Sequence, residues 1–224
     1  SKMKIKSLSC LFAFAILFFN SCSVPDSQTD VSVKNPVDYV NPYMGNISHL
    51  LVPTFPTIHL PNSMLRVYPE RHDYTDTELN GLPLIVTSHR GSSAFNLSPF
   101  QGDESALRPV IQFSYDQEKL PPYSYSVYLD EQQIQVDFGL SHQSAAYEIL
   151  FQKDAPAYLI LNSKNGELRW DGKAISGFQL IESNTKVFLY MVPSELPQKV
   201  SELNDGNLVE STTTDGNNAC LVLK

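Results

Sequence analysis

The chain has 224 residues, 42% of them hydrophobic, which suffices for the core of one domain but not of several. With 24 acidic and 16 basic residues, its formal net charge is −8. Lys2, Lys4 and Lys6 precede the first acidic residue; without them 13 basic residues face 24 acidic ones, a net charge near −11. Since no lysine or arginine cluster is present, we expect no nucleic-acid partner.

The first 22 residues are typical of a bacterial lipoprotein export signal. Lys4 and Lys6 give a basic start, and the apolar run Leu11–Phe19 is too short for a transmembrane helix, which needs about 20 residues, but suits a signal peptide. The run Phe19–Cys22 resembles a lipobox, so Cys22 is the predicted lipidation site. We therefore expect export and anchoring in the bacterial envelope, outer membrane or periplasm, through the lipid alone. An ordinary cleaved signal is the alternative.

After the leader, the mature chain is expected to contain one cysteine without a disulfide partner and a polar tether before the folded domain. Cys10 lies in the leader, so Cys220 has no disulfide partner once Cys22 is acylated. Cys220 lies in the apolar run Ala219–Leu223, which predicts a buried small hydrophobic residue. Residues 23–36 are polar and contain two prolines, which is typical of a flexible tether. The folded domain is expected over residues 37–224.

From residue 110 onward the sequence predicts successive short strands separated by turn residues. No helical period lies between them; Lys199–Leu203 would form at most a helical turn, and Asp205–Asn218 is predicted to be a loop. This pattern favours an all-β, antiparallel β-sandwich. The predicted strands are Val110–Tyr115, Tyr123–Leu129, Gln133–Phe138, Ala145–Phe151, Ala157–Asn162, Gly177–Ile181, Lys186–Val192 and a last one at Ala219–Leu223, with turns that include Asn165–Gly166 and Asp171–Gly172.

The segment from Val37 to Gly91 is dense in proline, histidine and tyrosine and has no helical period. It contains Asp38–Gly45 (DYVNPYMG), then Leu60–Met64 (LPNSM) followed by Tyr68–Glu70 (YPE), then Ser88 and His89. These runs resemble the "DYVNPFIGT", "PG…PFGM…SPD" and "GFSHTHLSG" runs at the start of the glycoside hydrolase family 92 exo-α-mannosidases.

The resemblance implies an N-terminal β-sandwich of the galactose-mutarotase-like, or supersandwich, type that packs onto a C-terminal (α/α)6 barrel. Because the chain ends in the predicted strand Ala219–Leu223 and has no helical half, we expect a fragment that lacks this barrel. A free-standing sandwich is the alternative.

The resemblance also implies inverting hydrolysis of mannose-containing glycans, assisted by Ca²⁺, with the catalytic and calcium-binding carboxylates in the barrel. None of those motifs occurs here, so we expect no catalytic residue and no metal ligand in this chain. Its histidine spacing also predicts no zinc site. The acid pairs are interpreted as solvated loop residues; they are Glu70 with Asp73, Asp76 with Glu78, and Asp103 with Glu104.

The expected substrate-binding residues are His89, Arg90 and Ser63. His89 matches the family's "SHTH" run, Arg90 stands next to it in place of the rest of that run, and Ser63 replaces the glycine of "PFGM", which suggests a remodelled subsite. A packed structural His89 is the alternative. For the arginines Arg66, Arg71 and Arg90, ion pairs to the barrel are favoured over ligand contacts. Trp170 is interpreted as a core residue, with a sugar platform as the alternative.

Three functions are consistent with these features. The first is the N-terminal domain of an exported α-mannosidase-like enzyme, which completes the sugar pocket and docks the catalytic barrel. The second is a non-catalytic glycan-binding surface lipoprotein of a polysaccharide-utilisation system. The third is a structural lipoprotein of the envelope. The first function predicts catalysis by a partner domain, and the second predicts glycan affinity without such a domain. The third predicts neither property.

Overall fold

Antiparallel strands form nearly all the regular structure of residues 34–44, 55–71, 76–87, 93–182 and 184–224, which the computed structural model describes. Besides 3₁₀ turns at Pro36–Tyr39 and Glu104–Ala106, this part of the chain contains thirteen strands. They are β1 Glu78–Asn80, β2 Leu82–Val86, β3 Ser93–Gln101, β4 Gln112–Lys119, β5 Ser124–Leu129, β6 Ile134–Leu140, β7 Ala145–Phe151, β8 Ala157–Trp170, β9 Ile175–Ile181, β10 Thr185–Met191, β11 Val200–Asn204, β12 Asn207–Glu210 and β13 Thr213–Leu223.

The strands form two sheets that share one hydrophobic core. The first sheet has the order β1-β4-β5-β6-β7. The second has the order β10-β9-β8-β13-β11-β12, and β3, paired with β2, joins it beside β8. Every pairing is antiparallel. The predicted all-β antiparallel sandwich is therefore confirmed. It belongs to the unit Pro36–Lys224.

Strands β5 and β6 show why the sandwich forms. Throughout β5, and in β6 up to Phe138, buried and half-buried residues alternate, as expected where one face of a sheet covers the core. Val127, Leu129, Ile134 and Val136 are fully buried. Burial of each such side chain stabilises the fold by about 1.5–3 kcal/mol relative to its exposed state.

Strand β8 corrects the predicted turn at Asn165–Gly166. The strand continues through both residues, and Gly166 pairs with Gly216 on one side and Gln179 on the other. A Cβ atom at Gly166 would overlap the carbonyl oxygen of Phe178. The glycine therefore marks a close approach of two strands rather than a turn.

The C-terminal part of the chain corrects two further predictions. Lys199–Leu203 lies mostly in β11 rather than in a helical turn, and the predicted loop Asp205–Asn218 contains β12 and the first half of β13. Asp205 and Gly206 form the turn between β11 and β12, with φ of 48° and 81°, and residues 211 and 212 connect β12 to β13. Positive φ at both central residues is typical of a type I′ hairpin. The polar half of β13 is held as a strand by its ladder with β8.

The segment before residue 93 is only partly irregular. Residues 55–71 contain one isolated bridge, between Ile58 and Val67, but Glu78–Val86 forms strands that the sequence did not predict. β3 was also missed, and all nine of its residues are buried. A strand that is buried on both faces has no polar alternation to reveal it.

Two single residues behave as expected. Cys220 is a free thiol that is fully buried, and its burial raises its pKa to about 12. Trp170, at the end of β8, is partly buried and packs against the hydrophobic core, in agreement with the core interpretation.

The predicted export signal, the lipidation site Cys22 and the tether up to residue 33 lie outside the described residues. Within the described part, the structure contains no helix of the length and apolarity needed to cross a bilayer.

Candidate functional site

The first predicted contact, Ser63, lies in the chain reversal between Ile58 and Val67. These two residues exchange backbone hydrogen bonds of 2.7 and 3.1 Å. The Ser63 hydroxyl lies 3.0 Å from the carbonyl oxygen of Leu65, 3.2 Å from that of Ser141 and 3.3 Å from that of His142. A hydroxyl donates one proton, so it bonds one of these carbonyls at a time. The two carbonyls of Ser141 and His142 place Ser63 against the connection between β6 and β7. Its predicted contact with substrate stays a prediction.

The backbone at this reversal also bears on the glycine that the resemblance implies at position 63. Positive φ occurs at the preceding residue, Asn62, with φ of 57°, and not at Ser63. Asparagine tolerates this left-handed conformation through its short polar side chain. Ser63 therefore does not need the conformational freedom of glycine. The backbone N–H of Met64 donates to the carbonyl of His142 at 2.8 Å, so the main chain docks at the same place.

A second polar cluster joins Glu70, Ser93 and Lys164. The Ser93 hydroxyl donates to the Glu70 carboxylate at 2.9 Å, and the Lys164 ammonium group lies 3.1 Å from that carboxylate and 3.2 Å from the hydroxyl. The Glu70 side chain is only 17% exposed. Its interpretation as a solvated loop acid is therefore wrong, because the folded domain pairs it. Its suggested partner, Asp73, lies outside the described residues.

The Ser93 end of this cluster adjoins the segment with the other two predicted contacts. Ser93 pairs directly with Val86 across β2 and β3, so Thr87 and the residues up to 92 connect two neighbouring positions. His89 and Arg90 belong to this connection and lie outside the described residues. Their roles in substrate binding stay predictions.

Gln179 supports the same region from β9. Its side-chain carbonyl accepts the backbone N–H of Phe95 at 2.7 Å and that of Lys164 at 3.1 Å. Phe95 has φ of 61°, and regular pairing of β3 with β8 begins only at Asn96. Gln179 therefore satisfies backbone donors that the irregular start of β3 leaves without a ladder partner.

A third cluster surrounds the buried ion pair between Arg71 and Glu118. The Arg71 guanidinium also lies 5.0 Å from the centroid of the Tyr115 ring. Burial raises the pKa of Tyr43 well above its usual range, and the negative charge and hydrogen bond of Glu118 raise it further. Arg71 was expected to form ion pairs to a barrel, but its described pair lies inside the domain. Glu118 thus joins β4 both to Arg71 and to the segment of Tyr43.

Tyr125 adds a buried hydroxyl to this cluster. Within the described part of the chain, this hydroxyl and the Nε atom of Arg71 have no hydrogen-bond partner. Burial raises the pKa of Tyr125 well above its usual range, with a further contribution from the Glu118 charge. The tyrosine therefore stays protonated at any physiological pH.

Two other candidate acids, Asp103 and Glu104, also have structural partners. Asp103 accepts the backbone N–H of Ser105 at 2.9 Å and thereby caps a 3₁₀ turn. Glu104 lies 2.9 Å from the Lys224 ammonium group and accepts the Tyr158 hydroxyl at 2.9 Å. These two hydrogen bonds, the one from Lys224 first, lower the pKa of Glu104. Both acids are exposed, but neither is free.

The described residues offer no metal site. Among them, no three histidine, cysteine or acidic side chains lie close enough together to hold a metal ion. Calcium prefers six to eight oxygen ligands with several carboxylates. The donor set of this part of the chain therefore does not fit the calcium ion that the resemblance implies.

The fold and these clusters can be compared with known proteins. Residues 39–224 match the model of the glycosyl hydrolase family 92 N-terminal domain. The chain belongs to this family. The resemblance carried by the runs at Asp38–Gly45 and Leu60–Met64 is thus confirmed. No curated protein sequence matches the chain significantly.

Solved structures of family 92 share the fold of this domain. An inverting mannosidase from Bacteroides thetaiotaomicron superposes with a TM-score of 0.71 at 22% identity, over 85% of this chain and 30% of that one. An α-mannosidase from the same organism superposes with a TM-score of 0.72 at 19% identity, over 84% of this chain and 31% of that one. The chain therefore spans about a third of the length of these relatives.

The family runs supply side chains that fasten loops of the domain. Tyr43 contacts Glu118 on β4, Ser63 contacts the connection between β6 and β7, and Glu70 contacts Ser93 and Lys164. The sequence had indicated Tyr43, Ser63 and Glu70 through the motifs that contain them. It gave no signal for the partners, which lie far away along the chain.

Proposed function

We propose that this chain is the N-terminal domain of an exported α-mannosidase-like glycoside hydrolase that acts on mannose-containing glycans. The observation that carries the proposal is the family 92 match over residues 39–224. Two structural relatives are described as an inverting mannosidase and an α-mannosidase. Since the chain spans about 30% of their length, the catalytic part belongs to a further C-terminal domain in this proposal.

In this division of labour the domain completes the sugar pocket and the C-terminal domain catalyses the reaction. Inverting glycosidases use two carboxyl groups, one as acid and one as base, about 6.5–9.5 Å apart with a water between them. Glu70 and Glu104 are already paired with lysines, and Asp103 caps a turn. The role left for this domain is to contact the sugar through Ser63 and the connection with His89 and Arg90.

Calcium assistance is part of the proposal only for the longer protein. The described residues hold no suitable ligand set, so its carboxylates would come from the C-terminal domain. When bound, calcium would supply positive charge at sugar hydroxyls. The contribution of this chain is hydrogen bonding and the exclusion of water at one side of the pocket.

Export and lipid anchoring complete the proposal. The support is the basic start, the apolar run and the lipobox-like sequence before Cys22. Labelling of expressing cells with a radioactive fatty acid should mark the wild-type protein and not a Cys22→Ala variant. An unlabelled wild-type protein would contradict the anchor without affecting the family assignment.

The decisive experiment compares the full gene product with residues 36–224. The full protein should hydrolyse an aryl α-mannoside with inversion, detected by NMR of the first anomer released, and residues 36–224 should not. Hydrolysis by the isolated domain that is lost on Glu70→Gln would contradict the division of labour. Inactivity of a folded full-length protein toward all α-mannosides would contradict the proposed activity.

A further inference from the structure

Strand β10 carries the most exposed large apolar side chains of any described strand. Two further exposed apolar residues come after it. Phe188 is 74% exposed and Tyr190 is 70% exposed, and both lie on the same face of the strand. Val192, 63% exposed, and Leu196, 70% exposed, follow the strand along the chain. We call these four residues the β10 patch. The opposite face of β10 packs against the core.

The two aromatic rings of the β10 patch alone expose a large area. An aromatic side chain presents about 150–250 Å², so at these exposures the rings leave on the order of 300 Å² open. The largest apolar patch on a typical monomer is about 300–600 Å² and is often functional. With Val192 and Leu196 added, the exposed apolar area matches the largest patch of a typical monomer.

The backbone of β10 is open as well. In the described part of the chain, β10 pairs only with β9 and ends the second sheet. An edge strand with large exposed apolar residues invites aggregation unless something covers it. Lys186 does not block the edge, because its ammonium group lies 4.0 Å from the centroid of the Phe178 ring.

We propose that the β10 patch is the surface on which the C-terminal catalytic domain docks. This inference rests on the proposed function and adds the place of contact. The length of chain outside this domain supports the choice of occupant, since about 70% of each structural relative has no counterpart here. Interfaces between domains bury about 600–1,500 Å², to which the patch contributes a substantial share.

Two other occupants fit less well. A neutral glycan would stack on Phe188 and Tyr190, but it gains little from the aliphatic Val192 and Leu196 or from an open strand edge. A second copy of the chain would bring together two bodies that each carry a net charge near −11 after the leader. Such charge opposes self-association.

The test is hydrogen exchange of residues 185–196, measured by mass spectrometry in the full protein and in residues 36–224, which contain the whole described core. Amides of the patch should exchange at least about tenfold more slowly in the full protein. The double variant Phe188→Ser/Tyr190→Ser should lose this protection in the full protein. The control variant is Val209→Ser on β12, at the other end of the same sheet. Val209 is also an exposed apolar residue of a strand, and its replacement should leave the protection unchanged.

Four outcomes would overturn the docking surface. Equal exchange in an active full protein would do so without affecting the proposed activity. Protection that appears in residues 36–224 only on addition of mannan would identify a glycan platform, and protection that grows with protein concentration would identify a second copy. A gene that ends at Lys224 would overturn both the docking surface and the proposed function, whereas protection in an inactive protein would overturn only the latter.

Discussion

Replacement of Gln179 by methionine tests how the irregular start of β3 is held. Gln179 is 3% exposed, and its side-chain carbonyl accepts backbone N–H groups from Phe95 and Lys164. Methionine has a similar volume but is a poor acceptor, so both donors lose their partner. A buried donor without a partner costs about 1–3 kcal/mol. Phe95 is fully buried and Lys164 half-buried, so we expect a loss of about 2–4 kcal/mol in the free energy of unfolding.

The assay is urea unfolding of residues 36–224, followed by circular dichroism and tryptophan fluorescence. The matched control is Gln135→Met on β6, where the half-buried amide donates to the Ser126 hydroxyl at 3.0 Å. Water can replace that bond, so the control should lose less than about 1 kcal/mol. The melting temperature should fall by about 2–4 °C for each kcal/mol lost. A Gln179→Met variant no less stable than the control would refute the reasoning.

Three further predictions concern the core of the domain. Arg71→Met should lower the free energy of unfolding by about 3–5 kcal/mol, because it leaves the Glu118 carboxylate buried without its cation. In urea unfolding, the double variant Arg71→Met/Glu118→Met should recover at least about 1 kcal/mol of this loss. No recovery would contradict a buried pair. Gly166→Ala should lower the free energy of unfolding by about 3 kcal/mol or more, because the added Cβ overlaps the neighbouring strand. The control is Gly172→Ala, where φ is 96° and the space around the residue is open; it should lose about 1 kcal/mol. Equal losses would contradict the close approach of the strands. The Cys220 thiol, with its pKa raised to about 12, should react with a disulfide reagent at pH 8 only after residues 36–224 unfold, and rapid labelling of the folded domain would contradict its burial.

The sequence predicted the strands whose own residues carry the signal. β5, β6, β7, β9 and β10 lie within two residues of their predicted bounds, because they are rich in β-branched, aromatic and other apolar residues and are separated by turn residues. The others depend on partners that a local pattern does not reveal. β3 contains asparagine, serine and proline yet is wholly buried, and the polar half of β13 is a strand because β8 lies beside it.

The same limit applies to the candidate site. Motif resemblance identified Glu70 and Ser63, but not the groups that they contact. Lys164 lies 94 residues from Glu70 along the chain, and Glu118 lies 47 residues from Arg71. A pair at such a distance leaves no spacing that can be read locally. Only the folded sheets bring its members together. The family was therefore predictable from the sequence, but the ion pairs were not.

The three loop attachments give the family motifs a physical meaning besides sugar binding. An irregular segment has few ladder hydrogen bonds, so side chains must fix its position. Tyr43, Ser63 and Glu70 each bind a different strand or strand connection of the sandwich. A sequence that keeps these residues therefore keeps the path of its loops, whether or not the same loops contact a sugar. It follows that a family match in this segment identifies the scaffold more firmly than the substrate. We propose that specificity depends on His89, on Arg90 and on the domain that we propose to cover β10.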